Sequence, residues 1–271
     1  MMNRKQRRSE KKAELKARKS APSIEQNFAT AVEHHRHGRL AEAETHYRKV
    51  LAASDDVPQA LLNLGMIVLQ TGRFDQALEL MQRLIVLQPD HAGAHNNMGS
   101  ALHHLGRLDE AAASLEKSIS IDPEDAYPHN NLGNVLMDMG QLEKSIPHFQ
   151  KAIQIEPEYA GAHYNLGIAL KDLHRLEEAA KSFQSAIDLT PNFAEAHFNL
   201  GSACKGMGQT GEAIAHYIAA IRLRPDYNDA WNNLTSALKV AGYVGLKISA
   251  MGELKALLDD PDIRASRHFA I

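Results

Sequence analysis

Residues 162–191 read AHYNLGIALKDLHRLEEAAKSFQSAIDLTP, and residues 94–123 read AHNNMGSALHHLGRLDEAAASLEKSISIDP. The two stretches begin 68 residues apart, twice 34, and the same interval separates Asn63, Asn97, Asn131, Asn165, Asn199 and Asn233. Each asparagine is followed by an apolar residue and then, in five of six cases, by glycine. A fixed period of this length marks helical hairpins that cannot bury a face alone and so stack on their neighbours. The expected function is therefore binding along an elongated surface.

The repeats run in register over 24–57, 58–91, 92–125, 126–159, 160–193 and 194–227, with the first helix of a seventh at 228–241. Small residues stand where the two helices of a hairpin must approach: Gly65, Gly99, Gly133, Gly167 and Gly201 on the first helix, and Ala77, Ala111, Ser145, Ala179 and Ala213 on the second. Gly38, Gly72, Gly106, Gly140, Gly208 and Gly242 occupy the turn between helices, and His174 replaces glycine once. Pro89, Pro123, Pro157, Pro191 and Pro225 end the second helices, because proline lacks the N–H that a continuing helix needs. Apolar residues at helical spacing fill the remainder, and no alternating strand pattern competes. Pro128 is expected in a first helical turn, and Pro147 within about a turn of a helix start with at most a slight bend.

The 271 residues are 44% hydrophobic and 23% charged, with a net charge of −3. That balance fits an ordinary water-compatible chain. The lone cysteine, Cys204, excludes an intramolecular disulfide, fits a reducing compartment and reads as a buried apolar residue. Residues 1–20 hold nine Lys or Arg against Glu10 and Glu14, a net of +7 that leaves −10 for the rest. Residues 1–23 are accordingly expected to be a disordered basic tail, neither a secretory signal nor a membrane span, and the protein is placed in the cytoplasm. Such a run attracts nucleic acid, anionic membrane or acidic protein with little selectivity, or stays solvated. At the other end, residues 244–271 read as a capping helix, with Lys247 where the repeat wants alanine, and the start of a further helix.

Positions 2, 5, 6, 9, 12 and 13 of each repeat share one face of the first helix, the side expected to line the concave groove. The six asparagines hold position 6. Their amides carry the donor and acceptor that match a peptide unit, while hydrogen bonds between adjacent helices are the competing use. Position 12 reads Leu69, His103, Met137, Lys171, Lys205 and Lys239, a basic row over the C-terminal half. Position 5 places Tyr164 and Phe198 beside that row, either against a ligand or packed on neighbours. Acidic and apolar segments are the expected ligands there. His95, His129, His163 and His197 form a second ladder whose rungs, roughly 10 Å apart, are too distant to share a zinc ion. These residues and His34, His35 and His37 read as packing or surface residues, so no metal and no cofactor is expected. No phosphate loop and no nucleophile with a base is found, which argues against an enzyme.

From about residue 24 to 243 the chain resembles the tetratricopeptide-repeat superfamily, on the two 30-residue motifs quoted above. Residues 194–242, AEAHFNLGSACKGMGQTGEAIAHYIAAIRLRPDYNDAWNNLTSALKVAG, are more narrowly similar to the superhelical repeats of O-linked N-acetylglucosamine transferases and their bacterial relatives. The resemblance implies an all-α, right-handed α-solenoid superhelix in which an asparagine ladder holds peptide backbone. No glycosyltransferase domain follows, and the lysine that a chaperone-binding carboxylate clamp carries at position 5 has no counterpart. The expectation is a protein-interaction scaffold for extended peptide segments, with self-association an open option. The substrate-recognition region of a longer glycosyl- or sulfotransferase, or a tether to nucleic acid or membrane through the tail, are the alternatives.

Overall fold

The computed structural model describes residues 23–241 and, beyond them, 252, 255–257, 259–261 and 263. The basic tail, Gly242 and most of the expected capping helix fall outside the described residues.

Every described segment of regular structure is helical. The helices fall into two compact units, one ending at Arg107 and one starting at Leu108. The first holds α1 (Ile24–Arg36), α2 (Leu40–Ala53), α3 (Pro58–Gln70), α4 (Phe74–Leu87) and α5 (Ala92–His104). The second holds α6 (Leu108–Ile121), α7 (Ala126–Asp138), α8 (Leu142–Ile155), α9 (Ala160–Asp172), α10 (Leu176–Leu189), α11 (Ala194–Gly206), α12 (Thr210–Leu223) and α13 (Asn228–Ala241). Odd-numbered helices are the first of each repeat. Within each unit, consecutive helices pack as antiparallel hairpins.

Local chemistry sets the helix ends. Ser23 begins α1 with a capping box: its Oγ accepts from the Gln26 amide at 3.1 Å, and its own amide donates to Gln26 Oε1 at 2.9 Å. Asp125 caps α7 through the Tyr127 amide at 3.0 Å. The turns close on left-handed residues at Gly38, Gly72, Gly106, Gly140 and Gly208, and at His174 with φ 58°. The Arg175 amide returns to the Leu170 carbonyl at 2.9 Å, so the His174 turn keeps the bond pattern of its glycine counterparts despite its Cβ. His174→Gly is therefore expected to raise the stability of the second unit by about 0.5–1 kcal/mol, the left-handed cost less the extra chain entropy of glycine. A thermal melt that fails to rise would show that the imidazole bears no such cost.

Pro147 lies deeper than expected, six residues into α8 and past the first turn. It removes the amide that would reach the Glu143 carbonyl, yet α8 continues to Ile155.

Gly65, Gly133, Gly167 and Gly201 of the first helices each meet a large side chain of the second: Met81, Phe149, Phe183 and Tyr217. A Cβ added to Gly133 would lie 2.5 Å from the Phe149 ring, and one added to Gly167 would lie 2.6 Å from the Phe183 ring. Both rings are fully buried. The core of the second unit runs on through Ile214, Tyr217 and Leu234, and takes in Leu257 and Ile263. In the first unit, Arg73 grips both oxygens of Glu44 at 2.7 and 2.6 Å, and this holds the Glu44 carboxyl down at about 2.

Candidate partner-binding face of the first helices

In the second unit α7, α9, α11 and α13 lie side by side, each touching the next. On α9, α11 and α13, position 6 reaches position 5 or position 12 of the preceding repeat, and Asn199 reaches both. The Asn165 amide donates to Asn130 Oδ1 at 3.0 Å. Asn199 donates to the Tyr164 hydroxyl at 3.1 Å and to its own helix at the Glu195 carbonyl, 3.0 Å away. Its Oδ1 accepts from Lys171 Nζ at 2.7 Å. One repeat on, Lys205 Nζ donates to Asn233 Oδ1 and to Ser236 Oγ, both at 3.2 Å.

These asparagines are ties between adjacent first helices. Asn199 is 6% exposed with both amide hydrogens spent inside the chain, so it has no donor left for a peptide carbonyl. The lysines are the groups left with donors to spare, because each ammonium carries three. Among the described residues neither Lys171 nor Lys205 has a carboxylate partner, and Lys239 on α13 is exposed. Asn131 sits half-buried on α7.

Tyr164 and Phe198 are half-buried rather than displayed. The Tyr164 ring lies 4.7 Å from that of Phe193 and 5.8 Å from that of Phe183, and Phe198 lies 5.0 Å from Tyr227 and 5.9 Å from Tyr217. Burial pushes the Tyr164 phenol up to about 12, which keeps its hydroxyl neutral as the acceptor for Asn199. The rings are walls of the face, and packing within each repeat holds them.

In the first unit Asn63 donates to the Tyr47 hydroxyl at 2.9 Å and accepts from Gln59 at 3.0 Å. Asn97 makes no side-chain hydrogen bond among the described residues. It opens on a cavity of about 520 Å³ lined also by His35, Met66, Leu69, Phe74 and His104.

The histidine ladder has a structural use that the sequence reading did not foresee. His163 Nε2 lies 3.0 Å from the Pro157 carbonyl and His197 Nε2 3.3 Å from that of Pro191, and the Trp231 indole makes the same bond to Pro225 at 3.0 Å. A carbonyl only accepts, so Nε2 carries the proton and Nδ1 is the acceptor in His197. That Nδ1 lies 3.4 Å from Nδ1 of His216 on α12, and His129 and His148 pair identically two repeats earlier. The interval of 19 residues, present at 129/148 and 197/216 but with serine at Ser114 and Ser182, was the available signal. Among the described residues no cluster of three or more His, Cys, Asp or Glu has metal-holding geometry. Cys204 is 3% exposed and burial pushes its thiol up, as a plain core residue requires.

Family models of the tetratricopeptide repeat match residues 28–89, 67–126, 114–146 and 194–227, and a TPR repeat model matches 133–174 and 169–208. The chain belongs to the tetratricopeptide-repeat proteins. Among solved structures it is similar to YrrB, described as a TPR protein with an unusual peptide-binding site, at 21% identity and TM-score 0.55 over 69% of this chain and 96% of that one. PilF of Pseudomonas aeruginosa matches at 16% identity and TM-score 0.68, over 79% of this chain and 97% of its own. The Cut9–Hcn1 hetero-tetramer of the APC/C matches at 21% identity and TM-score 0.73 over 80% of this chain, which spans 43% of that chain. At these identities the likeness is one of fold. No curated protein matches by sequence.

Proposed function

We propose that this protein is a non-catalytic scaffold that holds extended segments of partner proteins along the face formed by its first helices. The chain is a protein-interaction module by its family, and one observation carries the choice of face. Lys171 and Lys205 are held on that face by neutral amide oxygens, so each ammonium retains a donor that no other described group takes up. A bound segment would complete them. The peptide-binding site in the description of YrrB gives a precedent for this fold, not for these residues.

Placing a photo-activated benzophenone at Asp172 or Asn232, exposed positions on α9 and α13, should capture bound partners efficiently. The same group at Gln150 or Gln184, exposed on the second helices α8 and α10, should capture far less. Capture only from the second helices would refute the proposed face.

A further inference from the structure

We infer that the stretch α9–α13 selects segments bearing two carboxylates three residues apart, through Lys171 and Lys205, and that Asn199 and Asn233 position those lysines. The inference rests on the reading of the first-helix face as the binding surface. Its ground is charge complementarity at short range. The two ammonium groups occupy equivalent points of successive repeats, each bonded to an amide oxygen of the next first helix, and among the described residues no carboxylate pairs with either. Asp172 on α9 and Asp229 on α13 are exposed and bond to neither lysine, and Glu195 on α11 is taken by Arg224.

An amide oxygen holds an ammonium in place without neutralising it. The charge is thus fixed in position, and the ordering entropy that weakens most surface ion pairs has been lost before a ligand arrives. Packed neighbouring helices stand roughly 8–10 Å apart. A peptide in the polyproline II conformation, which leaves its own backbone unbonded, repeats every three residues with a rise of about 9 Å. Carboxylates at i and i+3 then point the same way about one helix spacing apart, the interval expected between equivalent positions of α9 and α11, and Tyr164 and Phe198 stand on those same two helices.

The test is selection of random dodecapeptides on phage against the full chain, beside the variant K171Q/K205Q. From the parent, recovered peptides should be enriched in Asp or Glu pairs at i, i+3. From the variant, that enrichment should vanish while other peptides are still recovered. Peptides recovered from the parent without acidic enrichment would overturn this inference and leave the binding face standing, whereas no peptide at all would overturn both. Enrichment that persists in the variant would assign the acidic preference to residues 1–20 and also overturn it.

The positioning role is tested separately with a selected acidic peptide. Asn199→Asp, nearly isosteric, hands Lys171 a permanent carboxylate and should weaken that peptide about tenfold, close to the loss in Lys171→Gln. A gentle loss in affinity for non-acidic peptides as well would indicate damage to the fold instead, and unchanged affinity for the acidic one would remove Asn199 from the role.

Discussion

Phe183→Ala is expected to be among the most damaging single changes in the second unit, lowering its stability by about 3–5 kcal/mol. The ring is fully buried between α9 and α10 and fills the space that Gly167 leaves open. Gly167→Ala places a Cβ 2.6 Å from that ring, closer than real contacts allow. Overpacking should cost about 1–3 kcal/mol, against a gain of about 0.5–1 kcal/mol from replacing a helical glycine. The two changes should not add. Once Phe183 is gone the new methyl enters the vacated space, so the double variant should be more stable than the sum of its parts predicts. A denaturant-midpoint cycle that is additive within about 0.5 kcal/mol would show that Gly167 does not exist to admit the ring. The same logic applies to Gly133 with Phe149, where the added Cβ would meet the ring at 2.5 Å.

The second large effect is on acid stability. His129, His148, His197 and His216 are all held below the ordinary imidazole range, in each case first by burial, and in His148 and His216 next by the partner ring. Lys151 adds to the lowering at His129, while Glu116 and Glu212 oppose it at His148 and His216. A histidine with a depressed folded value takes up its proton more readily when unfolded. The unfolded state therefore gains protons first as the pH falls below about 6.5, and folded stability declines from there. Above that pH the groups are neutral in both states and contribute no slope. Each group can supply at most about 1.4 kcal/mol per pH unit, so four acting together are a large term for stacked hairpins. The variant H148S/H216S installs the residue that the chain itself carries at Ser114 and Ser182. It should melt more nearly alike at pH 7.5 and pH 5 than the parent does. Parallel pH profiles for the two proteins would remove the pairs as the cause.

Much of the fold was legible because its rules are local. Glycine after all but one of the first helices within the repeats, proline after five of the six second helices, and apolar residues every three or four positions act through neighbours within one turn. The positive φ at His174 follows from the same reading, since the repeat requires a left-handed residue there whatever its side chain. Pro147 was misplaced for the complementary reason: its tolerance inside α8 is decided by what packs on that helix, not by proline itself.

The site was less legible. Sequence placed Asn199 and Lys171 on one face, but not against each other, because they are 28 residues apart and meet only when α9 and α11 lie side by side. An asparagine that grips a ligand and one that ties two helices are identical in sequence; what differs is whether a hydroxyl or an ammonium from the next repeat reaches it first. The histidine pairs are hidden in the same way, since 19 residues bring them together only through the packing of a first helix on its second. The sequence by itself thus determined the repeat, the helices, their turns and which residues share the first-helix face, all consequences of the backbone period. Only the tertiary structure decided which polar groups on that face are spent and which remain to be offered, because hydrogen-bond satisfaction depends on the relative placement of neighbouring helices, which the period does not encode.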